Sequence, residues 1–207
     1  MPRRIVLIQG HPESGPVSPE DRFPDPAPGR HLGHALADAY VRGAEEEGHE
    51  VRRIEVARLA FPLLRSQADF QGGEPPKDIR AAQENLGWAE HWALFFPLWL
   101  GTTPALLKGF LEQALRPGFA LEAVDRGMGR PLLKGKSARI VVTMGMPALV
   151  YRAYFRAHGL KNLERNILRF TGMRPVRASL FGLVEARSGR TRKRWLGRME
   201  RLGRAGK

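Results

Sequence analysis

The sequence predicts an α/β chain built on a doubly wound, five-stranded parallel sheet. Three observations carry this expectation. Five apolar, β-rich runs recur along the 207 residues. Amphipathic helical patterns lie between them. Strand and helix alternate throughout, an order that covers both faces of a parallel sheet with helices. This length suits a single domain, residues 1–207, with a proline-rich insertion at 12–30 and a basic C-terminal segment at 185–207.

The strands are expected at 5–9, 51–56, 92–97, 138–143 and 176–184. The first, third and fourth are nearly continuous apolar runs, as strands buried on both faces should be. Leu32, Ala35, Leu36, Ala39, Tyr40, Gly43 and Ala44 repeat at helical spacing, and Gly48 offers a stop. Residues 76–88 form a second helix of weaker periodicity. Thr103 and Pro104 read as an N-cap hydroxyl followed by proline at the first helical position. That helix turns Leu107, Phe110, Leu111 and Ala114 inward and ends before Pro117 and Gly118. Asn162 is expected to cap another helix, through Leu163, Ile167 and Phe170. Trp195, Leu196, Met199 and Leu202 mark a last amphipathic helix.

Composition narrows the functional classes. Apolar residues make up 43% of the chain, enough for a substantial core. There is no cysteine, which excludes disulfides, thiolate metal sites and a cysteine nucleophile. The start, MPRRIVLIQGHP, carries too short an apolar run for a signal peptide, and no stretch has the apolar length of a membrane span. A cytoplasmic location is expected. The net charge of +13 would attract an anionic partner. Over residues 185–207 nine Lys or Arg face two Glu, a net of +7, so more than half of the excess lies in the last tenth of the chain.

In a doubly wound sheet, ligands bind beyond the carboxyl ends of the strands. Three of those ends are unusual here. The first strand runs into Gly10, His11 and Pro12. The third, FFPLWLGTTP, places Leu98, Trp99 and Leu100 on a loop, which is costly unless something covers them. The fourth, VVTMGMPALVY, carries Gly145, where a partner can approach the backbone closely. Together they could form a slot for a flat, apolar ring. Local packing is the alternative for each alone.

With GHP after strand one, FPLWLGTTPALLKGFLEQALRPGF after strand three and VVTMGMPALVY after strand four, the chain resembles the flavodoxin-like NAD(P)H:quinone oxidoreductases. The resemblance covers roughly residues 5–183 in order, and the PLWLGTTPALLKG block is its most specific part. It implies strand order 2-1-3-4-5. It also implies FMN or FAD as cofactor, a homodimer, and hydride passed from NAD(P)H to the flavin and then to a quinone or similar acceptor. By position, Pro97, Leu98, Trp99, Leu100 and Gly101 would lie along the flavin ring. Thr143, Met144, Gly145, Met146 and Pro147 would offer backbone N–H groups to its polar edge. His11, Arg30, His31, Leu32 and Gly33 would surround the phosphate, at a helix start suited to an anion. Tyr151, and His158 one residue late, match positions that stabilise charge during the transfer. The family's first loop usually carries Ser or Thr, then an aromatic residue and Asn. Here basic residues stand in their place and could serve as phosphate ligands instead. The 12–30 segment then reads as an enlarged phosphate loop or lid, or as a disordered insertion.

Other motifs weigh less. GRPLLKGKS, residues 129–137, has five residues between its glycines where a P-loop needs four, and it precedes its strand instead of following one. His31 and His34 could share a helix face near His11, but no cysteine or second acidic ligand accompanies them, so no metal site is assigned. The basic tail reads as a docking helix with a solvated cationic face rather than a nucleic-acid binder. The alternative to an enzyme is a non-catalytic regulatory or binding subunit of the same fold, an ancillary protein of a membrane transporter or a binder of nucleic acid or anionic surfaces. NADH and NADPH are not distinguished, and neither is the acceptor.

Overall fold

A computed structural model of the chain describes residues 1–14, 31–123 and 129–207. Five strands form one sheet: β1 (Arg4–Gln9), β2 (Glu50–Glu55), β3 (His91–Pro97), β4 (Ser137–Met144) and β5 (Val176–Gly182). Their order is β2-β1-β3-β4-β5, and every pairing is parallel. The registers Gln9↔Phe95, Pro97↔Thr143 and Met144↔Gly182 bring four carboxyl ends to one rim.

Among the described residues seven α-helices connect or cover the strands: α1 (Leu32–Glu46), α2 (Gln67–Gly72), α3 (Lys77–Trp88), α4 (Ala105–Ala114), α5 (Ala148–Ala153), α6 (His158–Lys161) and α7 (Gly189–Arg204). A 3-10 turn at Val56–Arg58 follows β2, and α6 runs on into a π-helical stretch at Asn162–Leu168.

Side chains of a strand alternate between faces, so β1 feeds two cores. Val6 and Ile8 pack with Ile79 and Leu86 of α3 and Leu107 and Phe110 of α4. Ile5 and Leu7 pack with Leu36 and Tyr40 of α1 and Met199 of α7. The apolar stripe of the last helix thus docks on α1, with Trp195 edge-on to Phe181 at 5.2 Å. The crossing is close because it uses glycine. A Cβ on Gly43 would sit 2.1 Å from the Glu200 carbonyl oxygen, and one on Gly203 would sit 2.0 Å from that of Tyr40.

The structure changes several sequence expectations. Helix α4 begins at Ala105 and its N-cap is Pro104, whose extended ψ of 147° keeps it outside the helix. Thr103 is therefore not the cap. Asn162 caps nothing: its backbone is helical, and its carboxamide oxygen accepts from Asn166 at 3.0 Å. Strand β5 ends at Gly182, two residues early, because Leu183 turns left-handed at φ 57°. The proline-rich segment, with Arg30, lies outside the described residues except for its first three positions.

Candidate functional site

The three unusual loops meet at the carboxyl rim. Gly10 donates to the Phe95 carbonyl at 2.7 Å, extending the β1–β3 ladder into the first loop. A Cβ at Gly10 would lie 2.6 Å from the Leu107 side-chain tip, so any larger residue there would push that leucine of α4 aside. Leu98 donates to the Thr143 carbonyl at 2.8 Å, which ties the second loop to the third.

Between the loops lies a cavity of about 1030 Å³. One wall is His11, Glu13, His31, Leu32 and Gly33, from the end of β1 and the start of α1. The floor is Pro97, Leu98, Trp99, Thr143, Met144 and Gly145. The far wall is Val184 and Glu185 after β5, with Arg190, Arg192, Lys193 and Leu196 of α7.

The floor is apolar and open. Trp99 remains 51% exposed, which is costly for an indole unless a ligand covers it. A Cβ on Gly145 would meet nothing within 4 Å, so protein packing does not demand glycine there. The turn after Trp99 is tight: Trp99 and Thr102 exchange backbone hydrogen bonds at 3.1 and 2.9 Å, with Leu100 at φ 47° and Gly101 at φ 80°. Two successive positive φ values make a type I′ turn, which leaves Leu100 fully solvent-exposed at its tip.

The first wall is built of imidazoles. His11 is buried and stacks on His31 at 4.0 Å between centroids, with His34 at 5.0 Å. The His11 Nδ1 accepts from the Glu13 backbone at 3.0 Å, and the His31 Nε2 meets the Glu13 carboxylate at 2.8 Å. Burial, reinforced by the other two histidines, pulls the pKa of His11 down to about 4. The hydrogen bond from His31 holds the Glu13 carboxyl below the usual range. Helix α1 starts beside this wall with no side-chain cap and no acidic residue in its first turn, so its amide groups and dipole favour an anion. Among the described residues no group of three His, Cys, Asp or Glu is arranged to hold a metal ion.

Of the residues singled out from sequence, His11, His31, Leu32, Gly33, Pro97, Leu98, Trp99, Thr143, Met144 and Gly145 all line this cavity. Leu100, Gly101, Met146, Pro147, Tyr151 and His158 do not. Leu100 lines a second, smaller pocket with Thr103 and Ile167. The Met146 carbonyl accepts from Leu183 at 3.1 Å, and Pro147 is the N-cap of α5. Tyr151 is buried beneath the floor. Its hydroxyl donates to the Gly101 carbonyl at 3.1 Å and accepts from the Leu160 amide at 3.1 Å. Burial raises its pKa, against the opposing pull of that amide. His158 is exposed at the start of α6, after Arg156 and Ala157 at φ 51° and 49°. The sequence reading missed the wall of Arg190, Arg192 and Lys193. The available signal was the run of basic residues directly after the fifth strand, at the rim where the other loops gather.

A model of the family described as flavodoxin-like fold matches residues 23–201. The chain belongs to this family. It is 27% identical over 175 residues to an "Uncharacterized NAD(P)H oxidoreductase" of Haemophilus influenzae, a match spanning 83% of this chain and 86% of that protein. Among solved structures, an NAD(P)H:quinone oxidoreductase from Methanothermobacter marburgensis superposes with a TM-score of 0.76 at 19% identity, covering 99% of this chain and 96% of the other. An FMN-dependent NADH-azoreductase from Bacillus anthracis, in complex with FMN, gives 0.73 at 12% identity, covering 97% of both chains. At these identities the two structures establish likeness of fold. Among the described residues no helix is long and apolar enough to cross a membrane.

Proposed function

We propose that this chain is an NAD(P)H oxidoreductase that binds FMN or FAD in the rim cavity and reduces a quinone or similar two-electron acceptor. The observation that carries the reading is the apolar floor of Leu98, Trp99 and Met144, beside Gly145 where no side chain fills the space, between two walls of basic groups. This arrangement fits a planar ring bearing an anionic tail. The name of the Haemophilus relative and the FMN held by the Bacillus fold neighbour support it. When bound, the flavin supplies the two-electron chemistry, and the protein supplies position and electrostatics.

In this reading Leu98 and Trp99 cover one ring face and exclude water from it. The amide groups after Thr143 face the polar edge. The His11 wall and the start of α1 hold the phosphate. Tyr151 acts as a positioning residue, fixing the loop of Trp99 through the Gly101 carbonyl. The assembly is a homodimer. Its support is the set of exposed apolar side chains Leu149, Val150, Tyr154 and Phe155 on and just after α5, with Leu100 on the loop bonded to it.

The test is reconstitution with FMN and with FAD, followed by a visible spectrum of the desalted protein and an assay of NADH and NADPH oxidation with a quinone acceptor. A retained flavin band with pyridine-nucleotide oxidation is expected. Failure to retain either flavin would refute the reading and favour a binding subunit.

A further inference from the structure

We propose that the stacked pair His11 and His31 is a proton-coupled clamp for a phosphate monoester, so that capture of a phosphorylated ligand takes a proton from solvent onto the imidazoles. The proposal rests on the flavin reading above, because FMN is the phosphate ester expected in this cavity.

The geometry carries the argument. Three imidazoles lie within 6.0 Å of one another, His11 and His31 lining the cavity and His34 buried beside them in α1. The groups facing His11 are Glu13 on its own loop, His31 before α1, and His34 in α1. Across the cavity stand Glu185 of the loop after β5 and Arg190, Arg192 and Lys193 of α7. Two carboxylates thus oppose three fixed cations and the histidines. Charging His11 is opposed by burial first and by His31 and His34 next, against the opposite pull of Glu13, so His11 is pushed toward its neutral form. An anion removes that opposition, and its binding must then raise proton affinity in the cluster by linkage.

The bonding leaves room for this. His11 spends Nδ1 on the Glu13 amide, and His31 spends Nε2 on the Glu13 carboxylate. The Nε2 of His11 and the Nδ1 of His31 make no hydrogen bond among the described residues and can serve the anion. The rings are nearly parallel, at 21°, and face to face. Stacked rings do not converge their nitrogens on one point, so the pair suits the spread oxygens of a phosphate better than a metal ion. In the coupled step one N–H bond forms on an imidazole, the proton comes from water or buffer, and nothing is oxidised or reduced.

The sign distinguishes this device from simple phosphate binding. A free phosphate monoester has a second pKa near 6, so a site that selects its dianion releases protons on binding. The histidine clamp does the opposite. Titration calorimetry of the apoprotein with FMN, near pH ~7.5 in Tris and in HEPES at matched ionic strength, reads the proton count directly. Net uptake of a fraction of a proton per FMN is expected, with near-zero uptake for riboflavin, which lacks the phosphate. The Kd for FMN should tighten as pH falls from ~8 to ~6.5, by well under the tenfold per pH unit that one full proton would give. His11→Gln with His31→Gln should abolish uptake. Binding of FMN with no uptake or with release, equal uptake for riboflavin, or unchanged uptake in the folded double variant would overturn the clamp while leaving the flavin reading intact. The wild-type comparison of FMN with riboflavin decides the matter even if the variants do not fold. If neither FMN nor FAD binds, the flavin reading and the clamp fall together.

Discussion

The hydroxyl of Tyr151 donates to the Gly101 carbonyl, and the amide of Leu160 donates back to the same hydroxyl, both at 3.1 Å. One phenol therefore joins α5, α6 and the loop that carries Trp99. Close packing reinforces the joint, since a Cβ on Gly159 would fall 2.1 Å from the same Gly101 oxygen.

Tyr151→Phe removes the donor to Gly101 and strands the buried Leu160 amide. The expected cost is about 1–3 kcal/mol of stability, read as a lower urea midpoint at unchanged m-value. The displaced loop should also weaken flavin affinity in proportion. A variant of unaltered stability and flavin affinity but depressed kcat would show that the hydroxyl acts on the chemistry directly, which its two internal bonds argue against.

How far the sequence alone reaches is visible around this joint. The central strands and the three loops are legible because β1, β3 and β4 are buried on both faces and read as unbroken apolar runs, while the strand order follows from the family resemblance. Tyr151 is legible as a position, but its role depends on where α6 begins. Two left-handed residues, Arg156 and Ala157, start that helix at His158, and nothing in a stretch reading YFRAHG announces them. For the same reason Asn162 looks like a cap when it sits inside a helical run. The basic wall was hidden differently. A charge run carries no periodicity, so the direction of Arg190 and Lys193 follows only from the turn at Leu183, a non-glycine residue forced to φ 57°.

The contact between α1 and α7 gives a second prediction. Gly43→Ala would drive a methyl group to 2.1 Å from a backbone carbonyl, and Gly203→Ala to 2.0 Å. Backbone on both sides cannot yield as a side-chain tip would. Each substitution is expected to cost about 3 kcal/mol and to loosen the α7 wall of the cavity. Gly197→Ala, whose nearest neighbour is the end of the Arg201 side chain at 3.6 Å, is the control and should be neutral or slightly stabilising. Thermal melts of the three variants separate the outcomes; equal melting points would contradict the tight crossing.

Acid should destabilise this fold before its carboxylates titrate. His91 is buried in the third strand, bonded through Nδ1 to Ser137 at 2.8 Å, with Nε2 buried and unpartnered. Burial, with Arg3, Arg139 and Arg177 nearby, pulls its pKa down to about 3. An unfolded histidine titrates near ~6.5. Between those values the unfolded chain holds a proton that the native one does not, so stability falls as pH falls. The slope is up to about 1.4 kcal/mol per pH unit for each such group. His11 adds the same dependence down to about 4. Denaturant titrations at several pH values should show the loss beginning below pH ~6.5, and His91→Asn should make the profile shallower. An unchanged profile would mean that His91 does not stay neutral.

Trp99 tests the cavity floor. Its indole is half exposed and touches little that the fold needs, so Trp99→Ala should leave the urea midpoint nearly unchanged. Loss of apolar cover worth about 1.5 kcal/mol or more should weaken FMN binding by roughly tenfold or more. Quenching of flavin fluorescence on titration gives the affinity. Equal affinity in both proteins would remove Trp99 from the ring contact.

Leu100 poses the last question, because two costs meet at one residue. Its φ of 47° is a conformation that a leucine adopts with strain of about 1 kcal/mol or more, and its side chain lies entirely in solvent. A turn with no further duty would be better served by Gly or Asn there. The chain instead presents an apolar side chain at the tip of a rigid turn. Just after α5, whose Tyr151 bonds the same turn, the exposed rings of Tyr154 and Phe155 pack edge-on to each other at 5.0 Å. The proposed dimer supplies the compensation that the monomer lacks. Leu100→Gly should raise the stability of dilute, monomeric protein by about 0.5–1 kcal/mol while weakening self-association. Leu100→Asp should weaken association further, by placing a charge in the contact. Light scattering across a concentration series gives the association constant, and denaturant melts at low concentration give the monomer term. A wild-type chain that stays monomeric at high concentration would remove the dimer, and the strain at Leu100 would then require another ligand for its explanation.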